Sequence, residues 1–139
     1  MIPTNYCRDD MSQYIKQADA GLFVAVMIET AEAIEAIDEI VAVDGLDGVV
    51  LGLMDLSGSY GMRGQGDHPK IVAAMDKVIA SARAAGLSVG CGQGTDVERI
   101  CSLARRSTQW FQAGADCLYL VTFMEQLSAA VRDTLEGDS

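Results

Sequence analysis

The sequence has no uninterrupted apolar run near the roughly 18 residues that a membrane span requires. Residues 1–10 lack a basic region followed by an apolar one, so no signal peptide is evident. None of the four cysteines, Cys7, Cys91, Cys101 and Cys117, forms a C-x-x-C pair, the spacing that zinc and redox motifs use. Positive charge is scarce: 10 Lys and Arg stand against 20 Asp and Glu, a net charge of −10. That balance disfavours nucleic acid and anionic membrane surfaces as partners. There is no low-complexity tract and no linker. A reduced, cytoplasmic protein is the expectation, with Cys91 and Cys117 as small buried hydrophobes on strands.

What is present is a globular composition. The chain has 139 residues, half of them apolar, enough for one domain with a core. The informative stretch is Gly48 to Gly61. It opens as an apolar run, then breaks into glycine, serine and a single acid, Asp55. A parallel α/β protein delivers functional groups to the carboxyl ends of its strands in this way. The pattern occurs once upstream, where the apolar run Leu22–Ile28 is followed by Glu29 and Thr30. Neighbouring parallel strands lie about 5 Å apart, so adjacent placement would bring Glu29 and Asp55 into one opening. From spacing alone, each acid could instead favour the positive end of the helix that follows it.

The rest of the chain supplies alternating elements. A first helix is expected over residues 9–20, with Met11, Tyr14, Ile15 and Ala18 on one side. Strand 22–28 follows. A helix capped by Thr30 carries Ile34, Ile37, Ile40 and Val41 and stops near Gly45. Strand 48–53 leads into a loop over 54–68. Pro69 starts a helix whose buried face is Val72, Met75, Val78, Ile79 and Ala82, ended by Gly86. Strand 87–91 runs into a glycine-rich turn. Thr95 and Glu98 form a capping box for a helix reaching about Gln112. A fourth strand is expected over 116–122 and a last helix over 124–135, before a frayed Gly-Asp-Ser tail. The strands read as apolar without alternation, as when both faces are covered.

Several smaller features have ordinary readings. Ser57 and Ser59 fit turn chemistry as well as a pocket lining. The Gly90–Gly94 segment lacks the lysine and spacing of a phosphate loop. Arg63 reads as a solvated surface residue, and Trp110-Phe111 as packing or a subunit contact. His68, the only histidine, precedes Pro69 and reads as a cap-region residue.

Taken together, Ile28-Glu29-Thr30, Asp38–Ile40, Val43–Gly48, Gly52–Gly61 and Gly64–Pro69 resemble the HpcH/HpaI aldolase family. The resemblance implies metal-dependent pyruvate aldolases built on a TIM (β/α)8 barrel, a fold of about 250 residues. It implies that residues 1–139 are part of one such domain: parallel strands alternating with helices, strands five to eight of the barrel. By resemblance Glu29 and Asp55 are the two ligands of a divalent metal, Mg2+, Mn2+ or Co2+. The backbone N–H groups of Met54 and Asp55 hold the pyruvate carboxylate. Hard divalent ions prefer carboxylate oxygens, which agrees. The implied reaction cleaves 2-oxo-acid aldols to pyruvate and an aldehyde through a metal-stabilised enolate.

Two positions depart from the family. Met27 replaces a common glutamine, and Leu53 replaces a proline in the turn. The family's substrate-gripping arginine and proton-transfer histidine belong to the first half of the barrel, so no catalytic side chain is assigned. Open sheet edges favour self-association. The expected partners are therefore a 2-oxo acid together with either a second copy or a complementing N-terminal half. The alternative is a catalytically inactive half-barrel that keeps metal or 2-oxo-acid binding, or an assembly role.

Overall fold

The computed structural model describes Arg8 and residues 10–137. Residue 9, where the first helix was expected to start, and the tail at 138–139 lie outside the described residues. Helix α1 (Met11–Ala20) begins directly after its N-cap Asp10, whose carboxylate accepts from the N–H groups of Ser12 and Gln13 at 2.8 and 3.2 Å. Four parallel strands follow: β1 (Ala25–Ile28), β2 (Gly48–Leu51), β3 (Ser88–Gln93) and β4 (Trp110–Ala113). They form one sheet in the order β1-β2-β3-β4, each neighbour in sequence a neighbour in space. Ile28 is in register with Leu51, and Leu51 with Cys91. The upstream apolar run and the Gly48 run are thus adjacent strands.

Helices cross between the strands. Those after β1 are α2 (Ala31–Glu35) and α3 (Ile37–Val41), two short helices where one was expected. Ala36 breaks them, with φ −87° and ψ 10°. Thr30 caps α2 as expected, accepting from the Ala33 N–H at 3.1 Å. The expected loop after β2 contains a helix, α4 (Leu53–Ser59), because Leu53 and Leu56 are drawn into the core. Helix α5 (Pro69–Ala84) spans the expected segment and buries Ile71 and Ala74 besides Met75, Val78, Ile79 and Ala82.

The C-terminal third differs from the expectation. Helix α6 (Val97–Arg105) ends well before Gln112, at Arg106 and at Ser107, which sits at φ 73°. Its cap is Asp96, not Thr95: the Asp96 carboxylate accepts from the Arg99 N–H at 3.1 Å. The fourth strand is Trp110–Ala113, not 116–122. Gly114, at φ 90°, turns the chain out of that strand. Residues Asp116–Gly137 form a single 22-residue helix, α7. The apolar run over 118–123 belongs to this helix and is exposed, as is Cys117. Among the described residues, no helix is long and apolar enough to cross a membrane.

The core lies on one face of the sheet. Ile28, Val49, Leu51, Val89 and Cys91 are buried, together with Ile34, Ile37, Leu56, Ile71, Val78 and Leu103 from the helices. Alternate strand residues point to opposite faces. Met27, on the other face, is 53% exposed, so strand burial alternates rather than running unbroken. Part of that second face is covered by Trp110, which lies over Gly90. The Phe23 ring meets Trp110 edge-on at 5.9 Å and 83°.

Burial pushes the Cys91 thiol up to about 11, against an ordinary value of 9.0. The buried protonated form is the favoured one, so the native state holds its proton more tightly than the unfolded chain. Stability is therefore expected to fall as pH rises from 9 toward 11. Urea titrations of the native chain and Cys91→Ala across that range check this, since the variant should lose part of the slope. In native buffer, thiol reagents should label the exposed Cys101 and Cys117 while Cys91 stays unmodified.

Candidate functional site

Glu29 follows the last residue of β1 and is half-buried. The next strand end sits beside it, because the Gly52 N–H donates to the Ile28 carbonyl at 3.1 Å. Gly52 is closely approached by the Glu29 side chain here. A Cβ on it would lie 3.0 Å from Glu29 Cβ and 3.3 Å from Glu29 Oε2. The Glu29 carboxylate therefore lies against the backbone from which α4 starts. Asp55 is exposed in the first turn of α4. Neither acid has a hydrogen bond or ion pair among the described residues. Glu29 directly after β1 and Asp55 in the first turn after β2 are carboxylates without protein counter-charges, the kind of ligand a hard divalent cation prefers. No group of three or more His, Cys, Asp or Glu side chains among the described residues could hold a metal, so other ligands would have to come from water or substrate.

Two serines hold α4 in place. The Ser57 hydroxyl, fully buried, donates to the Met54 carbonyl at 2.7 Å and accepts from the Gly64 N–H at 3.2 Å. The Ser59 hydroxyl accepts from the Ala31 N–H at 2.9 Å, tying α4 to the first turn of α2. Turn chemistry thus accounts for both hydroxyls, and Ser57 also lines a cavity. The Gly52 carbonyl accepts from the Leu56 N–H at 2.8 Å. That leaves the Met54 and Asp55 N–H groups without an acceptor among the described residues, as first-turn amides are.

The cavity occupies about 480 Å³ beside Met54. Met54 and Ser57 form one wall and Gly64 and Asp67 a second. Gln93, Gly94, Asp96 and Arg99 form the third. Glu29 and Asp55 do not line it. The Gly90–Gly94 segment, read from sequence as a turn, is the second half of β3 as far as Gln93. The Arg99 guanidinium pairs with Asp67 and donates to the Gly66 carbonyl at 3.3 Å. This pair links residues 32 positions apart, and no sequence spacing announces it. His68 caps α5: its Nδ1 accepts from the Lys70 N–H at 3.2 Å. Arg63 is exposed, its guanidinium near Gly58.

The chain is similar to known proteins over most of its length. The family model described as HpcH/HpaI aldolase/citrate lyase matches residues 4–122. A 4-hydroxy-2-oxo-heptane-1,7-dioate aldolase of Salmonella newport is 35% identical over 132 residues, covering 91% of this chain and 48% of the relative. The chain thus spans about half the length of the curated relatives it matches. Among solved structures, an HpcH/HpaI aldolase from Desulfitobacterium hafniense superposes with a TM-score of 0.79 at 27% identity, over 93% of this chain and 50% of that one. A family protein from Burkholderia cenocepacia superposes with a TM-score of 0.78 at 28% identity, over 86% of this chain and 46% of that one.

Proposed function

The chain belongs to the HpcH/HpaI aldolase/citrate lyase family, and from that premise we propose that it serves a metal-dependent carbon–carbon lyase acting on 2-oxo-acid aldols. The observation that supports the reading is a pair of unpartnered carboxylates beyond two adjacent parallel strands, Glu29 directly after β1 and Asp55 in the first turn of the helix that follows β2. Glu29 and Asp55 would hold the divalent ion. When bound, that ion supplies Lewis-acid polarisation of the keto group and stabilises the negative charge that develops on its oxygen. The Met54 and Asp55 N–H groups receive the 2-oxo-acid carboxylate and fix its orientation. Ser57 holds the turn that aims them. Cleavage breaks the bond between C3 and C4. The C4 hydroxyl loses a proton as the aldehyde leaves, and C3 gains one to give pyruvate.

The four strands correspond to strands five to eight of the barrel, with the face that carries Met27 and Trp110 turned to its interior. Three features support a requirement for completion by a first half. β1 and β4 end the sheet with unpaired edges among the described residues. The apolar side chains of α7 are exposed. His68, the only histidine, is used as a cap. That last point also favours a second reading, in which the unaccompanied chain binds metal and 2-oxo acid without turning the aldol over.

One assay separates the two. Pyruvate release from 4-hydroxy-2-oxopentanoate and from 4-hydroxy-2-oxo-heptane-1,7-dioate is followed with Mn2+ or Co2+. The chain is tested alone and mixed with the first half of the Salmonella aldolase, with native mass spectrometry reporting the complex. The lyase reading expects release from the mixture, abolished by EDTA and restored by Mn2+. A complex that forms and releases no pyruvate with any of these metals would leave only the binding reading.

A further inference from the structure

We infer that Arg99 is a positioning residue for the turn that receives the 2-oxo-acid carboxylate: it steadies the first turn of α4 through residues 63–67 and Ser57, without touching substrate. The inference rests on the lyase reading, because that reading gives the Met54 and Asp55 N–H groups their task. What it adds is a side chain on another helix on which their placement depends.

The path is a continuous run of contacts. Arg99 lies in the first turn of α6, a helix start that Asp96 caps, so its backbone is fixed. Its guanidinium pairs with Asp67, and its Nη2 donates to the Gly66 carbonyl at 3.3 Å. It is seated against that backbone: a Cβ on Gly66 would lie 3.3 Å from Nη2. Two residues back, the Gly64 N–H donates to Ser57 Oγ at 3.2 Å. The same hydroxyl donates to the Met54 carbonyl at 2.7 Å, in the first turn of α4.

Little else holds the segment. Gly64 has a φ of 81°, so the chain doubles back there in the left-handed region. Among the described residues, hydrogen bonds from 63–67 to anything outside 57–68 come from Arg99 alone. The cavity of about 480 Å³ has this segment as one wall and the end of β3 as another, so the segment faces open space and not core. The Arg99 side chain is only 20% exposed, so its bonds are less screened by water than those of a surface pair. A segment with few contacts opens locally unless something ties it down. When it opens, Gly64 leaves Ser57, and the hydroxyl that fixes the Met54 carbonyl loses one of its two partners. Ligand-binding groups keep their geometry when the hydrogen bonds behind them are complete.

The test uses the full chain, with Mn2+ and oxalate as probes. Calorimetry follows Mn2+ alone, then oxalate added to the Mn2+-loaded protein. Arg99→Gln is expected to weaken oxalate about tenfold and to leave Mn2+ alone within about twofold. Asp67→Asn removes the ion pair at a side chain that is 84% exposed, with little risk to the fold, and should weaken oxalate in the same direction. Hydrogen exchange reads the path itself. The Gly64 amide should lose protection in Arg99→Gln, while the Leu56 amide, bonded to the Gly52 carbonyl, keeps its own. A merely structural Arg99 would weaken Mn2+ and oxalate alike, and that result would overturn the inference. So would unchanged oxalate binding in either variant, or an unchanged Gly64 amide. Failure of the parent reading looks different: an unaltered chain that binds no oxalate with Mn2+ present removes the lyase site and this inference with it. Normal binding by the unaltered chain, undisturbed in the variants, removes only the role of Arg99.

Discussion

Replacing Glu29 or Asp55 with alanine is expected to lower metal-dependent pyruvate release by the completed barrel roughly 1000-fold, with almost no change in stability. The size of the loss follows from the ligand set. In the proposed site two carboxylates would hold the ion, so deleting either would leave a single protein ligand, and several kcal/mol of transition-state charge stabilisation would go with the metal. The unchanged stability follows from the surroundings. Neither acid has a hydrogen bond or ion pair among the described residues, so truncation breaks no contact on which the fold depends. Substitutions that remove no such contact usually stay within about 0.5 kcal/mol. Steady-state rates at saturating Mn2+, set beside urea midpoints, check both halves. A variant that loses activity and stability together would mark the acids as structural.

Gly90→Ala is expected to have the opposite profile: a large loss of stability from one methyl group. Gly90 is fully enclosed in β3, and a Cβ there would enter the ring of Trp110. Trp110 cannot move aside freely. It is in register with Gly90 on the next strand, its Nε1 donates to Ser88 Oγ at 3.4 Å, and Phe23 meets its ring. Overpacking at such a site costs roughly 2–3 kcal/mol. A urea midpoint falling by that amount in Gly90→Ala, and largely restored in Gly90→Ala with Trp110→Leu, is the predicted pattern. An unshifted midpoint in the single variant would mean that the ring is not held over the strand.

The candidate site was more legible in the sequence than the C-terminal third of the fold. Glu29 and Asp55 each end an apolar run, and a buried parallel strand that stops at an acid places that acid at the sheet's carboxyl end whatever the exact bounds. Helix α5 was legible because Pro69 opens it and Gly86 closes it. The error at 116–122 has a physical cause. Leu118–Phe123 is apolar and contains Val121 and Thr122, and a short run of that composition satisfies strand and helix alike. Gly114 fits equally well as the stop of a helix before it or of a strand before it. The real strand, Trp110–Ala113, is four residues long and gives no period to read.

Other features belong to tertiary structure and leave no trace in spacing. Gly90 was expected within strand 87–91, but nothing near it marks the position as crowded, because its constraint is the Trp110 ring, which lies 20 positions away in sequence. The Arg99–Asp67 pair joins α6 to the loop before α5, and nothing in the spacing of the two residues announces it. The serines after Asp55 could be read two ways until Ser57 was found buried with partners on both sides of its hydroxyl.

Calorimetry of Mn2+ binding to the full chain in the presence of oxalate, a stable mimic of a bound 2-oxo-acid enolate, bears most directly on the claim that Glu29 and Asp55 share one cation. The account predicts a single saturable site in the unaltered protein and none in either Glu29→Ala or Asp55→Ala. No saturable heat in the unaltered chain, or an undiminished site in both variants, would contradict it.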